Sequence, residues 1–530
     1  MKILLTTLNS KYVHSNLALK YLYTVTVGEY SDLDVREFTI NNDPNYIYTE
    51  LVRANYDMIC FSCYLWNIEQ IKPLAADLKK ACPELIIVLG GPEVSFTGPE
   101  FMQANPWADF IICGEGEYPF YRFMQVMAGS GAGASGGSGV GSGSGTGAGW
   151  NPNPQFDTVP GLIYRQNGKI FVNSLVEPLD MNLIPFPYSV LDCEEDRVVY
   201  YESSRGCPFG CTYCLSATEK RVRALDLERT KADLGYFLYK KVMQVKFIDR
   251  TFNYDRTRAY EIFKYLIEND NGITNFHFEI CADLLDDETL RLLARARKGL
   301  FQMEIGIQST NPETLAAIGR KENVYPVLYN TERLVALGNI HTHVDLIAGL
   351  PFETYELFGR SFNKVYALQA DAFQLGFLKV LAGTPLAAEK EKYGIIHRDK
   401  APYEVISTNY MSAEDLARLK MIENMLDIYY NRGGFSETVA YLIEEIGRGA
   451  FGFYEMLADY YYEAGYQNRD RKKDDQYRIL YAFADHTART LGTPALAQTA
   501  HEKLLADAEH QMNPENLKRF LHKGWGLTRA

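Results

Sequence analysis

The 530-residue chain lacks a long hydrophobic segment: its longest mostly apolar run, residues 58–66, is about half of what a membrane-spanning helix needs. Its first residues also lack the small-residue cleavage site of a secretory signal, so we expect neither a membrane protein nor a secreted one. Basic residues are few, with 54 Lys and Arg against 67 Asp and Glu and a net charge of −13. This balance disfavours a general nucleic-acid-binding surface and leaves room only for a local basic patch.

The composition is that of a globular protein, with 47% hydrophobic and 13% aromatic residues, and the length suggests three or four domains. Nine cysteines are an odd number for a disulfide framework. Three of them crowd into eight residues, which in a protein of this size indicates metal or redox chemistry. The other six are expected to be reduced core residues: Cys60, Cys63, Cys82, Cys113, Cys193 and Cys281.

A Gly/Ser-rich segment marks the clearest boundary. Residues 129–149 contain eleven Gly, five Ser and three Ala without a single charge, which predicts a flexible linker. Strand and helix patterns alternate on both sides of it, and helical, Tyr-rich sequence follows them. We therefore divide the chain into a first domain (1–128), the linker (129–149), a connector (150–194), a second domain (195–385) and a helical C-terminal domain (386–530).

The first domain is predicted to be a doubly wound, Rossmann-like α/β sheet. Its β-type runs are 2–7, 33–39, 57–63, 85–89 and 109–113. Ligands of such sheets bind beyond the carboxyl ends of the strands. Those ends carry SCYLWN (62–67), GGPEVSF (90–96) and GEGE (114–117), and their glycines allow a bulky ligand to approach the backbone.

The second domain shows six further strand–helix units, which predict a partial (βα)6 barrel of the TIM type with its chemistry at the strand ends. The predicted strands are 198–203, 244–249, 275–281, 302–307, 341–347 and 373–380. From about residue 401 the strand pattern fades, and segments such as 413–430 and 437–466 have helical periodicity.

The sharpest motif is SSRGCPFGCTYCLS, residues 203–216, at the end of the first of these strands. Its cysteines Cys207, Cys211 and Cys214 have the spacing CxxxCxxC, on a loop marked by glycine and proline. Three thiolates on a tight loop can bind three irons of a 4Fe–4S cluster and leave the fourth iron open. A zinc site would need a fourth ligand, and no Cys or His follows Cys214 within 60 residues. We therefore predict a catalytic iron–sulfur site.

With Tyr213 before the last cysteine, this motif resembles the CxxxCxΦC signature of the radical S-adenosylmethionine (radical SAM) superfamily. The resemblance implies that the open iron binds SAM and that one electron splits the sulfonium to release a 5′-deoxyadenosyl radical. EICAD (279–283), GIQS (306–309) and DLIAGLP (345–351) resemble segments of the oxygen-independent coproporphyrinogen oxidases of that superfamily. The SAM contacts implied are Phe209, Tyr213, Asp249, Glu279, Gln308, Ser309, Arg320 and Asp345. Asp249 is included because IDRTFN (248–253) replaces the GGE usual in the family.

A doubly wound domain ahead of such a barrel resembles the cobalamin-binding radical SAM family, and the tail resembles an uncharacterised domain found with some of its members. SKYVHSNL (10–17) departs from the DxHxxG of histidine-ligating cobalamin domains, so we expect no cobalt ligand from His14. The cobalamin contacts implied are Tyr12, His14, Ser62, Tyr64, Leu65, Trp66, Gly90, Gly91, Pro92, Glu93, Val94, Gly114, Glu115, Gly116 and Glu117.

The leading hypothesis is a cobalamin-dependent radical SAM methyltransferase that acts on an unactivated carbon. The alternatives are a cyclase or rearrangement enzyme that uses cobalamin without methyl transfer, and a non-catalytic cobalamin sensor. The family implies three cofactors: a 4Fe–4S cluster, SAM and cobalamin. We expect a small-molecule or peptide substrate and an external electron donor of the flavodoxin or ferredoxin type, and neither a membrane nor a nucleic acid. Because oxygen destroys exposed clusters, a cytoplasmic protein of low-oxygen metabolism is expected.

Overall fold

The computed structural model describes residues 1–129, 154–175, 177–194, 196–320, 323–468 and 471–525. Apart from Gly129, the predicted linker lies outside these ranges. The described chain forms two mostly parallel sheets with helices packed on them and a helical C-terminal region, as predicted.

The first sheet begins with five parallel strands in the order β2-β1-β3-β4-β5, the doubly wound arrangement predicted from the sequence. Two separate apolar clusters, one on each face, bury the strands between helices. The strands are β1 (Ile3–Asn9), β2 (Leu33–Thr39), β3 (Met58–Ser62), β4 (Ile86–Gly90) and β5 (Phe110–Ile112). The helices are α1 (Leu17–Thr26), α2 (Pro44–Ala54), α3 (Ile68–Ala81), α4 (Pro92–Ser95), α5 (Gly98–Ala104) and α6 (Glu117–Ala128).

Two strands from beyond the Gly/Ser segment complete this sheet. β6 (Leu162–Gln166) pairs antiparallel with β5, and β7 (Lys169–Val172) pairs antiparallel with β6. Ile163 is buried against the apolar cluster of the first domain. Part of the region predicted to be a connector therefore belongs structurally to the first sheet.

The second sheet has six parallel strands in sequence order, the open barrel expected from the strand–helix alternation. A two-stranded antiparallel ladder, β9 (Ser204–Arg205) with β10 (Arg223–Ala224), projects from its first strand. The barrel strands are β8 (Val199–Tyr201), β11 (Gln244–Phe247), β12 (Asn275–Ile280), β13 (Phe301–Gln308), β14 (His341–Ala348) and β15 (Ala372–Phe377). The helices are α7 (Leu227–Tyr239), α8 (Arg256–Glu268), α9 (Asp287–Leu293), α10 (Pro312–Ala317), α11 (Val324–Ala336), α12 (Tyr355–Tyr366) and α13 (Pro385–Ala388).

The C-terminal region packs on α12 and shares the apolar core of the barrel. A short hairpin, β16 (Ile396–His397) and β17 (Val405–Ser407), leads into it. Ser412 and Asp415 form a capping box that fixes the start of the first long helix. The helices are α14 (Ala413–Leu426), α15 (Ser436–Ile446), α16 (Gly449–Glu463), α17 (Lys473–Leu491), α18 (Pro494–Gln511) and α19 (Pro514–Lys523). Across the described ranges, none of the helices combines the length and apolarity needed to cross a membrane.

Candidate functional site

The three-cysteine loop runs between β9 and β10, so the ladder fixes both of its ends. Gly206 has φ +97°, and a Cβ there would lie 2.3 Å from the Arg221 carbonyl oxygen, so this position needs glycine. The Cys207 amide donates to the Glu219 carbonyl at 3.0 Å, and the Cys214 amide donates to the Cys211 carbonyl at 3.1 Å. All three thiols are reduced and half-buried, which leaves them accessible to a ligand.

The far side of the loop contacts the segment that follows α10. The Thr212 amide donates to the Ile318 carbonyl at 2.9 Å. A Cβ on Gly319, which has φ +75°, would lie 2.4 Å from the Gly210 carbonyl oxygen. These close approaches bring Arg320, the next residue, to the cysteine loop.

Three of the predicted SAM residues, Gln308, Arg320 and Asp345, lie together around the ends of β13 and β14. Gly306 stands at their centre: a Cβ there would lie 2.2 Å from Gln308 Nε2 and 3.5 Å from both Arg320 Nη1 and Asp345 Oδ1. Gln308 adopts φ +67°, a backbone conformation that is uncommon for a side-chain-bearing residue. Gln308 Oε1 and Asp345 Oδ1 are buried without a hydrogen-bond partner. Buried polar atoms of this kind are what a polar ligand would satisfy.

Burial dominates the electrostatics here. Burial, assisted by the nearby charge of Glu304, raises the pKa of Asp345 to about 7, with Arg320 acting in the opposite direction. Burial also raises the pKa of Tyr213, with Cys211 and Asp345 among the charges that add to the effect. Tyr213 therefore lies within electrostatic range of both Cys211 and Asp345. Burial raises the pKa of Glu279 as well, and Phe209 lies half-buried in the loop itself.

The structure commits two other predicted SAM residues to internal contacts. Asp249 accepts hydrogen bonds from the Ser203 amide at 2.8 Å, from the Ser203 hydroxyl at 2.7 Å and from the Ser204 hydroxyl at 2.5 Å. It thereby ties β11 to the start of the cysteine loop. Ser309 donates to Glu353 Oε1 at 2.6 Å and is fully buried. Both residues support the site from behind.

A polar layer that was not expected from the sequence lies one pleat below the strand ends. Glu304 Oε2 lies 3.1 Å from Lys246 Nζ and 3.1 Å from His277 Nε2. The hydrogen bond from His277, together with the charge of Lys246, lowers the pKa of Glu304 to about 2. His343 is the register partner of Glu304 on the next strand. The sequence feature that could have revealed this layer is the alternation of polar and apolar residues along β13, FQMEIGIQ. Strands of a parallel sheet are usually apolar on both faces, so this alternation is unusual.

The first-domain edge carries the glycine turn predicted to contact cobalamin. Gly91 has φ +102°, and a Cβ there would lie 2.5 Å from the Cys63 carbonyl oxygen, so the turn packs directly on the end of β3. Tyr64 and Trp66 stack with ring centroids 4.4 Å apart, and the Trp66 indole donates to the Leu8 carbonyl at 3.2 Å. Trp66 is 41% exposed. Of the other predicted contacts, Ser62 and Val94 are buried, Leu65, Gly90, Pro92, Glu93 and Gly116 are half-buried, and Gly114 is exposed.

His14 joins the two domains. It forms a parallel bridge with Val198, just before β8, and its Nδ1 lies 2.7 Å from the Tyr200 hydroxyl. Arg197 stacks on the ring of Tyr12, with its guanidinium carbon 4.9 Å from the centroid. This histidine is therefore engaged with the barrel.

Glu115 and Glu117, predicted on the cobalamin edge, form ion pairs with the base of the cysteine loop. Arg205 lies 2.7 Å from Glu117 and 3.2 Å from Glu115, and Arg223 also pairs with Glu115. The segment after β5 of the first sheet therefore contacts the base of the cysteine loop of the barrel. Sequence patterns of either domain alone contain no signal for these pairs.

The residues present fit the cofactors that the sequence implied. Among the described residues, no group of three His, Cys, Asp or Glu side chains converges on a single metal ion. Three thiols on one loop instead match a cluster in which each thiolate binds its own iron. The partnerless oxygens of Gln308 and Asp345 lie near Arg320, which follows the segment that contacts that loop. On the facing edge, the aromatic side chains of Tyr12, Trp66 and Phe96 remain exposed, as a large flat ligand would require.

Three family models match the chain in order: the B12 binding domain over residues 3–123, the radical SAM superfamily over residues 201–365, and DUF4080, a domain of unknown function, over residues 391–524. The chain belongs to the cobalamin-binding radical SAM family. As a member of this family with a DUF4080 domain, it combines the three parts anticipated from the cysteine motif, the Gly-rich strand ends and the helical tail.

Several curated proteins are similar to this family member. The cobalamin-dependent radical SAM methyltransferase TokK of Streptomyces tokunonensis is 25% identical over 76% of this chain and 61% of its own length. The 2-(S-pantetheinyl)-carbapenam-3-carboxylate methyltransferase of Streptantibioticus cattleyicolor is 25% identical over 56% of the chain and 43% of its own length. An anaerobic magnesium-protoporphyrin IX monomethyl ester cyclase of Rubrivivax gelatinosus is 24% identical over 52% of the chain and 48% of its own length. The chain thus matches less than two thirds of each relative.

Solved structures support the fold. The cobalamin-dependent SAM radical enzyme OxsB superposes with a TM-score of 0.63 at 16% identity, covering 99% of this chain and 84% of that one. The radical SAM methyltransferase TsrM of Kitasatospora setae superposes with a TM-score of 0.59 at 16% identity, covering 76% of this chain and 82% of that one. At these identities the likeness establishes the architecture alone.

Proposed function

We propose that the protein is a cobalamin-dependent radical SAM enzyme that methylates an unactivated carbon. The observation that carries this proposal is the contact between the two ligand-binding edges. Arg205 and Arg223, at the base of the cysteine loop, pair with Glu117 and Glu115 at the strand ends of the first domain. The three-thiol loop and the strand-end edge of the B12 binding domain are therefore direct neighbours.

The barrel residues suit a cluster with SAM. Cys207, Cys211 and Cys214 would hold the cluster, and the planar fork of Arg320 suits a carboxylate. The buried oxygens of Gln308 and Asp345 would accept hydrogen bonds from hydroxyl or ammonium groups of SAM. When bound, the cluster with SAM supplies a radical that removes hydrogen from carbon, and cobalamin supplies the methyl group.

The first-domain edge would hold cobalamin. The Gly91 turn and the Tyr64–Trp66 stack lie at neighbouring strand ends and offer a close backbone and a flat apolar surface. His14 is engaged with Tyr200, so this proposal assigns cobalt no ligand from the 10–17 loop.

The substrate is proposed to be a small molecule or peptide with polar groups. The layer formed by Lys246, His277, Glu304 and His343 faces the same side of the sheet as the SAM residues. An apolar substrate would remove water from the Lys246–Glu304 ion pair and offer it no new hydrogen bonds. Desolvation of an ion pair in this way costs on the order of several kcal/mol.

An external redox protein of low potential, of the flavodoxin or ferredoxin type, is the proposed electron donor. Lys220 and Arg221 are exposed and lie in the cysteine loop after Cys214, and neither forms an ion pair with any residue that the structure describes. The Arg221 carbonyl packs on Gly206, beside Cys207. In a chain of net charge −13, this local positive patch favours the docking of an acidic donor near the cluster.

We place the enzyme in the cytoplasm and in low-oxygen metabolism, because a cluster bound by half-buried thiols would be open to oxygen.

The test is product analysis on anaerobically reconstituted protein. Methyl transfer predicts S-adenosylhomocysteine together with 5′-deoxyadenosine and a methylated product. The second candidate, favoured by the similarity to an anaerobic cyclase, is a ring-altering reaction without methyl transfer. It predicts 5′-deoxyadenosine without S-adenosylhomocysteine.

A further inference from the structure

The segment that leads from the barrel into the DUF4080 domain contacts both proposed cofactor loops. It comprises residues 381–405 and ends at β17. Its Leu386 amide donates to the Thr212 carbonyl at 2.9 Å, between two of the cluster cysteines. The Tyr403 hydroxyl donates to Glu93 Oε2 at 2.8 Å, in the glycine turn of the first domain. We call residues 381–405 the bridging segment.

Two apolar contacts reinforce the link to the first domain. Gly383 has φ +87°, and a Cβ there would lie 2.2 Å from the ring of Phe96, so the ring packs directly on the glycine. Ala401 packs against the apolar cluster of the first domain. The bridging segment therefore contacts the turn formed by residues 90–96 at Phe96 and Glu93, and Ala401 packs on the apolar core of the same domain.

The barrel holds the other side of the segment. The Val380 amide donates to the Tyr403 carbonyl at 3.0 Å, and the Val405 amide donates to the Leu378 carbonyl at 2.9 Å. Tyr403 is thus fixed to the strand extension after β15 by its backbone and reaches the first domain by its side chain. Its position depends on the barrel, while its hydroxyl acts on the first-domain turn.

We propose that the bridging segment fixes the position of residues 90–96, the turn proposed to bind cobalamin, relative to the cluster loop. Tyr403 is the positioning residue for Glu93 in this turn, and the proposal rests on the proposed function. This gives the start of the DUF4080 domain a role in cofactor placement. Since Glu93 follows Gly91 by two residues, the Tyr403 hydroxyl orders the turn on which the corrin would rest.

Tyr403→Phe tests the proposal, since it removes only the hydroxyl, and Tyr410→Phe is the matched control. Tyr410 lies seven residues along the chain and packs its ring on Phe352 at 4.7 Å within the barrel. We expect Tyr403→Phe to weaken the binding of aquacobalamin about five- to tenfold, the effect of losing one typical intramolecular hydrogen bond. Iron and sulfide content, melting temperature and the Tyr410→Phe affinity should match the wild type.

Glu93→Met supplies the second measurement, because methionine has a similar size and no carbonyl oxygen to accept from the Tyr403 hydroxyl. If the hydroxyl acts through Glu93, Tyr403→Phe combined with Glu93→Met should bind cobalamin no more weakly than Glu93→Met alone. Additive losses, wild-type affinity in Tyr403→Phe, or a lowered melting temperature with loss of iron would each overturn the positioning role. Failure of the wild-type protein to bind cobalamin would instead overturn the proposed function, so the two failures are distinguishable.

Discussion

Arg205 Nη2 lies 2.7 Å from Glu117 Oε1, and this pair joins the base of the cluster loop to the first helix after β5. Both side chains are largely buried, with exposed fractions of 17% and 7%. Breaking a buried ion pair leaves one charge without a partner, which costs far more than breaking an exposed pair. The contact between the two domains therefore depends strongly on this arginine.

We expect Arg205→Met to lower the free energy of unfolding by about 3 kcal/mol or more, because Glu117 and Glu202 lose their cation. Lys80→Met is the control. It breaks the exposed Lys80–Asp77 pair and should cost less than about 1 kcal/mol. Urea unfolding followed by circular dichroism measures both, and equal losses would contradict the importance of the buried pair.

The Arg205–Glu117 pair also predicts that the protein loses stability in acid. Burial acts to raise the pKa of Glu117, but the charge and hydrogen bonds of Arg205 outweigh it, and the pKa lies below the usual 4.5. The stabilisation is therefore complete above the ordinary pKa and is lost as pH falls through the lowered one. Glu117→Gln should flatten the acid limb of the stability curve, and an unchanged limb would exclude this role.

Cys211→Ala should abolish the iron–sulfur cluster, because two thiolates on the loop do not retain it. Cys82→Ala is the control, a half-buried cysteine of the first domain outside the loop. Iron, sulfide and visible absorption of anaerobically reconstituted proteins measure the difference. Bound zinc, or the absence of sulfide from the wild type, would exclude an iron–sulfur site.

Asp345 predicts a pH dependence of SAM binding. Its pKa of about 7 lies above the ordinary 3.8. The free energy of unfolding of the protein without SAM should therefore fall as pH rises from the ordinary pKa to the raised one. A carboxylate that accepts hydrogen bonds from SAM binds better when ionised, so SAM affinity should rise through about pH 7. Asp345→Asn should remove this rise in calorimetric titrations.

Asp233→Asn is the control for that measurement. Asp233 is also buried, with its pKa raised to about 6 by burial, but it bonds the Tyr201 hydroxyl on the helix side of the barrel. It should keep the pH dependence of the wild type. An identical profile in Asp345→Asn would show that this carboxylate does not contact SAM.

The positive patch predicts how the cluster is reduced. Lys220→Glu combined with Arg221→Glu should slow reduction by an acidic flavodoxin about tenfold or more and remove its decrease with salt. Reduction by dithionite, which needs no docking surface, should not change. Lys240→Glu with Lys241→Glu is the control at the exposed end of α7, and an equal effect there would contradict docking at the loop.

The strands were predictable because their apolar runs have the length and spacing of a parallel sheet. The cysteine loop was predictable because three thiols at close spacing have few other uses. Lys246 and Glu304 escaped notice because facing side chains on separate strands leave only a weak alternation in sequence. The ion pairs of Arg205 and Arg223 with the first domain were not predictable either, because their partners lie about a hundred positions away in the sequence.

Asp249 and Ser309 show the limit of matching motifs by position. Both stand at the strand ends that the resemblance selected, yet each side chain is fully engaged with the fold behind the site. Motif position predicts where a residue lies, while its hydrogen-bond partners decide what it can still bind. Whether either also contacts SAM stays a prediction.

The antiparallel pairing of β6 with β5 has a consequence for how the protein can be divided. Residues 110–112 and 162–164 exchange backbone hydrogen bonds, although they precede and follow the Gly/Ser segment. A polypeptide cut between residues 130 and 153 would keep its halves joined through this sheet, so the two pieces are suited to fragment complementation. Expressing residues 1–129 alone would instead expose the edge of β5 to self-association.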